Sequence, residues 1–283
     1  MSHRRVQIRL LILFVAAWLA PVLSAETLAE KTLKDIVARQ KEVFERAEKE
    51  GDNLDEARFD GESKALASSY DVLIQKNPEF TAAYVAYGMF LSKIDMNRES
   101  AVMLLRANKL DPNIALVKNQ LAKLLVDDGK PLEALPWITA AIDLEPREPF
   151  YHLQLGNLLL GARDDFIKSG DFTRASLDRT MLTAFAKAEE LAPKDLSIAY
   201  QHAKAYYEID PPQWDEALQL WNQLEEKPVT TGMRQLIRLQ KANILIKLGR
   251  RDEAREILDR ITDMQLAKEK QTLLDQLAAK PEK

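Results

Sequence analysis

Three prolines fall at one fixed interval. Pro78 in IQKNP, Pro112 in NKLDP and Pro146 in IDLEP are evenly spaced. The period is about 34 residues, within the range of stacked repeat units. Gly88, Ala122 and Gly156 keep the same spacing, and so do Ala107 and Ala141. Independent markers that share one period indicate a recurring structural unit. A unit of this length is one supersecondary element. It cannot bury its apolar face alone and must stack on its neighbours.

Within each unit the apolar residues recur at helical spacing. Tyr84, Tyr87 and Leu91 in AYVAYGMFL show this, as do the phrases VKNQLAKLL and FYHLQLGNLLL. The small residue in each phrase lets another helix approach closely. Gly129 and Gly249 then read as stops of a first helix. A second helix opens on a Glu-Ala or similar step at 132–135, 215–218 and 252–255. Proline closes the unit because it cannot continue a helix. Valine and isoleucine nowhere alternate over a strand length, so the expected fold class is all-α.

The pattern resembles the tetratricopeptide repeat (TPR) family over about residues 28–262. The resemblance implies a TPR-type α-solenoid of about six helix pairs. They centre on 28–78, 81–112, 115–146, 149–193, 196–228 and 235–262, in a single domain over 26–283. A helix at 264–279 is expected to cap the last apolar face, with the KPEK tail loose. Four irregularities break the period. The interval from Pro146 to Pro193 exceeds one period by 13, and the excess lies between Gly156 and Met181. It predicts two lengthened helices with a turn near Gly170. The first unit is long, with helices near 28–49 and 54–76. Pro211-Pro212 interrupts the fifth unit. Pro136, inside a second helix, predicts a late start or a kink.

Residues 1–25 have the three-part layout of a cleavable secretory signal. Arg4, Arg5 and Arg9 are basic, Leu10–Leu23 is an apolar run, and small residues follow at Ser24 and Ala25. The run is shorter than the roughly 20 residues of a membrane span. Cleavage is therefore expected, after Ser24 or Ala25, with export to the periplasm or beyond. Removing three arginines takes the net charge from −4 to −7. An acidic chain is a poor match for a phosphate backbone, so no nucleic-acid partner is expected. The chain has no cysteine, which excludes disulfides, thiolate metal sites and a cysteine nucleophile. Its independence of disulfides suits a bacterial periplasm.

Catalytic groups are scarce. The glycines are isolated and form no phosphate loop. His152 and His202, the histidines beyond the leader, have no second ligand at helical spacing, so no metal and no cofactor is expected. The acid pairs Asp164-Asp165 and Glu189-Glu190 read as solvated helix faces. A non-enzyme is expected.

By the TPR resemblance, the first helices line a concave groove, and the residue after each small residue points into it. Those residues are Met89, Lys123, Asn157, Lys204 and Asn243. Residues four back and three on share the face. The stripes are Val85-Met89-Ser92, Asn119-Lys123-Val126, Leu153-Asn157-Leu160, Tyr200-Lys204-Tyr207 and Leu239-Asn243-Ile246. Donors flanked by apolar or aromatic walls suit an extended peptide. The candidate partner-binding residues are Asn119, Lys123, Asn157, Tyr200, Lys204, Tyr207 and Asn243. No arginine lies on the stripes, unlike a carboxylate-binding clamp. Trp214 and Trp221, seven apart, share a face suited to packing.

The expected function is a non-catalytic scaffold or adaptor that binds a segment of another envelope protein and assists complex assembly. Exported proteins of the resembled family serve in pilus, polysaccharide-export, outer-membrane and cytochrome-maturation machinery. Two other readings stand beside it. One is a spacer or homo-oligomer using the convex face or the enlarged fourth unit. The other is a carboxylate-dependent glycan hydrolase. A groove occupied by the chain's own helix near 28–49 is a further possibility.

Overall fold

A computed structural model describes residues 27–278. The signal expected at 1–25 and the KPEK tail lie outside the described residues. Those residues are helices and turns with no strand among them, and no helix is long and apolar enough to cross a membrane. The described residues form fourteen α-helices, most of them alternating in chain order as first and second members of helix pairs, with one short extra helix at 163–169 and one last helix outside the alternation. The all-α, TPR-type α-solenoid that the resemblance implies is the observed fold. The chain divides into two compact units that meet in sequence between Asp128 and Gly129.

The first unit contains α1 (Leu28–Glu50), α2 (Glu56–Lys76), α3 (Thr81–Lys93), α4 (Asn97–Leu110) and α5 (Ala115–Asp127). α1 starts at a capping box. The Thr27 hydroxyl accepts from the Glu30 N–H, and the Glu30 carboxylate accepts from the Thr27 N–H at 2.8 Å. α2 is capped by Asp55, whose carboxylate accepts from the Arg58 N–H at 3.0 Å. The buried stripes of α1, α2 and α3 meet in one core that includes Phe44, Leu66, Tyr70, Tyr87 and Phe90. Tyr70 stacks on Tyr87 with ring centroids 5.0 Å apart. α1 thus packs on its own pair and on α3 as a repeat helix.

The small residue in the first helix works as the sequence suggests. A Cβ on Gly88 of α3 would lie 2.7 Å from Leu104 Cγ of α4. Ser100 of α4 donates to the Gly88 carbonyl at 2.8 Å in the same buried contact. The turn that follows α3 needs a left-handed residue, and Asp95 supplies it with φ of 61°. Gly129, one period on, has φ of 74°, and Gly249 has 75° at the end of a later first helix. Glycine adopts this conformation without Cβ strain, and aspartate is among the few others that tolerate it.

The second unit contains α6 (Pro131–Leu144), α7 (Pro149–Gly161), α8 (Arg163–Ser169), α9 (Arg174–Leu191), α10 (Leu196–Ala205), α11 (Trp214–Glu226), α12 (Thr231–Lys247), α13 (Arg251–Asp259) and α14 (Ala267–Ala278). The two lengthened helices expected here are not both found: α7 keeps the 13-residue length of α3 and α5, and the excess appears as a separate α8, its turn and a longer α9. Gly170 makes the turn with φ of 84°. Phe166 of α8 is buried, and Phe172 meets it edge-on at 5.7 Å. Gly156 of α7 faces Phe185 of α9 at 2.9 Å from a built Cβ. α6 does not start late. Pro131 is its first residue, where a missing N–H is harmless, and the helix runs through Pro136 to Leu144. Leu273 and Leu277 of α14 join the core formed by α10 to α13, so α14 caps the last pair.

Candidate functional site

An α-helix turns about 100° per residue, so a residue next to a buried one can face solvent. Gly88, Ala122, Gly156, Ala203 and Ala242 are all buried. Of the residues that follow them, Lys123 and Lys204 are exposed, and Met89, Asn157 and Asn243 are half-buried. The small residues are therefore packed, and the residues that follow them reach the surface in full or in part. Two stripe residues differ: Asn119 and Leu239 are buried, each at 5% exposure. Both lie a full turn before the outward position and have rotated into the packing. On α5 the stripe is presented by Lys123 and Val126. The Lys123 ammonium is paired with Asp127 at 2.8 Å.

In the second unit the structure brings several candidates together. α10 ends at Ala205, and its last residues tighten into a turn. The Tyr207 N–H donates to the Lys204 carbonyl, and the Glu208 N–H to that of Ala205. This places Tyr207 against α12. Its hydroxyl donates to the Gln240 carbonyl at 3.1 Å and also hydrogen-bonds the Asn243 side chain. Its ring lies 5.7 Å from that of Trp214, and the Lys247 ammonium sits 5.0 Å from the Trp214 ring centroid. Tyr200 meets Trp221 edge-on at 5.1 Å. Burial raises the pKa of both tyrosine hydroxyls, which keeps them neutral. The Lys204 ammonium makes no hydrogen bond or ion pair among the described residues. Neither Asn157 nor Lys204 is bonded to the Tyr207–Asn243 pair. The two tryptophans part company: Trp221 is fully buried, and Trp214 is half-buried at the start of α11.

Two buried polar networks flank this surface. Asp178 of α9, 5% exposed, accepts at Oδ2 from Arg174 Nε at 2.8 Å and from the Asp210 N–H at 3.0 Å. Arg163 Nε lies 3.7 Å from the other oxygen, and Arg163 also approaches the Glu208 carboxylate. Arg174 Nη2 donates to the Glu208 carbonyl at 2.5 Å. In the second network, Glu189 at the end of α9 is paired with His202 and with Lys227, each at 2.9 Å. The hydrogen bond from His202, with help from Lys227, outweighs burial and lowers the Glu189 pKa to about 2. The reading of Glu189-Glu190 as a solvated pair holds only for Glu190. His202 is buried, and His152 contacts the Pro146 carbonyl through its ring.

Trp214, Lys247, Arg163, Asp178 and Glu189 were not marked by the period. Each owes its place to a partner in another helix. Among the described residues no group of three or more His, Cys, Asp or Glu side chains is arranged to hold a metal ion.

No family model matches the chain, and no curated protein matches it in sequence. Solved structures do match in fold. YrrB, described as a TPR protein with an unusual peptide-binding site, is 17% identical with a TM-score of 0.58. That match covers 74% of this chain and 99% of YrrB. PilF of Pseudomonas aeruginosa is 14% identical with a TM-score of 0.57, over 87% of this chain and 98% of its own. PilW, described as a widely conserved type IV pilus biogenesis factor, is 13% identical with a TM-score of 0.56, over 88% and 100%. At these identities the likeness is one of fold, and the fold is that of TPR proteins.

Proposed function

We propose that this chain is an exported, periplasmic, non-catalytic adaptor. It binds an extended segment of another envelope protein on the outward faces of its first helices and so assists assembly of a complex. The observation that carries this reading is the surface around Tyr200, Lys204, Tyr207 and Asn243 in the second unit. Half-buried aromatic rings there adjoin an ammonium without a partner. An unpaired lysine beside aromatic walls offers a donor to peptide carbonyls or carboxylates and apolar area to side chains. The Tyr207 hydroxyl is already donated to Gln240, so Tyr207 contributes its ring, and Asn157 and Lys204 contribute donors. Among proteins of this fold, YrrB has a peptide-binding site and PilW acts in pilus biogenesis, roles that suit an adaptor. The basic, apolar and small-residue segments of 1–25 support the exported location.

The test is in-cell photocrosslinking from a reactive residue at position 204, with mass spectrometry of the adducts. One discrete envelope partner is expected. The double variant Lys204→Glu with Asn157→Ala should then lose that partner in pull-down and keep its helical circular dichroism. Unchanged capture by the variant would remove these residues from the site.

A further inference from the structure

Two irregularities of the sequence meet in one place. The excess between Gly156 and Met181 supplies Arg163, Arg174 and Asp178. The Pro211-Pro212 interruption follows the backbone that Arg174 and Asp178 hold, with Arg163 beside the Asp178 and Glu208 carboxylates. Neither proline has an N–H to donate, so Asp210 is the last backbone donor before Gln213. That donor goes to Asp178, and the Glu208 carbonyl just before it is taken by Arg174. A carboxylate as buried as Asp178 persists only when it is paired, and Arg174 and Arg163 provide the pairing. Directly before Glu208 lies Tyr207, whose contacts with Gln240, Asn243 and Trp214 define the candidate surface.

We infer that the enlarged fourth pair is a clamp. Arg163, Arg174 and Asp178 are positioning residues that fix the 208–210 backbone and so hold the Tyr207 ring where a partner meets it. The inference rests on the adaptor reading above. α9 has 18 residues against 14 in α4 and in α6, so its first turn, with Arg174, extends beyond the regular length, and a loop broken by two prolines has few backbone donors of its own. The clamp therefore sets the edge of the binding surface from outside it.

The test uses Arg174→Gln in the mature chain, because Arg174 is partly exposed and its loss leaves Asp178 paired with Arg163. Asp178→Asn is the second variant. Two readouts are taken. The first is the indole N–H resonance of Trp214, assigned by Trp214→Phe, which senses the neighbouring Tyr207 ring. The second is the in-cell adduct yield from the photoreactive residue at position 204. The expected result is a shifted Trp214 resonance, an unmoved Trp137 resonance, retained cooperative melting and a fall in adduct yield of about fivefold, as a loss near 1 kcal/mol implies. An unmoved Trp214 resonance would overturn the clamp, and so would a moved one with full adduct yield. Loss of cooperative melting in both variants would make the network a requirement of the fold and also overturn the positioning role. If the parent chain gives no adduct at all, the adaptor reading falls, and the Trp214 resonance still decides whether the clamp holds Tyr207.

Discussion

Replacing Gly88 by alanine tests whether the period encodes a close helix approach. The added methyl would lie 2.7 Å from Leu104 Cγ and 2.9 Å from its Cδ2. Leu104 is fully buried and its backbone N is 3.4 Å away, so the side chain has little room to yield. Overpacking of this kind costs about 1–3 kcal/mol. Alanine recovers about 1 kcal/mol through helix propensity. The net expectation is a loss of about 1 kcal/mol. Gly61→Ala is the matched control. Gly61 lies inside α2 of the same unit, is exposed, and has nothing within 4 Å of a built Cβ. That variant should gain about 0.5–1 kcal/mol. The difference between the two isolates the overpacking at about 1–3 kcal/mol. Urea denaturation, followed by circular dichroism, measures both. Ala203 and Ala242 carry methyl groups at the same register, so the contact with Leu104 matters more than the position itself. Leu104→Ala should accordingly cost less in the Gly88→Ala background than alone. Equal stability of the two glycine variants, or additivity of the Leu104 change, would refute the argument.

Other outcomes follow from the same geometry. Asp95→Gly should stabilise by about 1 kcal/mol, because Asp95 holds the left-handed conformation that Gly129 and Gly249 adopt at equivalent turns; thermal melting checks it. Glu189 should contribute stability above its ordinary pKa of 4.5 and lose it as the pH falls toward about 2, since its folded pKa is lowered. The contribution is at most about 3 kcal/mol, and a Glu189→Gln variant should show a flatter stability profile between pH 5 and about pH 2. Deleting residues 264–283 should expose the apolar face covered by Leu273 and Leu277, lowering the urea midpoint and promoting self-association in sedimentation.

The pairs were legible because their cause is local. Proline ends, small residues at Gly88 and Gly156 and helical spacing of apolar residues all lie within one unit, and the helices begin and end where those residues place them. The turn at Gly170 was readable for the same reason. The late start expected from Pro136 does not occur, because a proline in the second turn of a helix that already starts at Pro131 removes one bond and leaves the helix in place. The loop after α10 is bonded at Glu208 and Asp210 by Arg174 and Asp178, which belong to α9 and not to α10, so its path is not written in its own residues. Glu189 resembles any surface acid until His202 and Lys227 are brought beside it from two other segments. Asn119 has the outward spacing but is buried. A stripe position says which way a side chain starts, and the surroundings decide how much of it is covered.

The dependence of the double proline on the inserted helix also bears on descent. If the clamp is needed to hold a loop that cannot bond itself, neither feature is easily gained or lost alone. Chains descended from a common ancestor with this one should therefore carry both or neither. A descendant whose fourth unit has the regular length should enter α11 through an ordinary turn. One that keeps Pro211 and Pro212 should keep an acid at the position of Asp178 and a cation at that of Arg174. The irregular parts of this repeat array would then be inherited as a single character, although they lie in different units of the sequence.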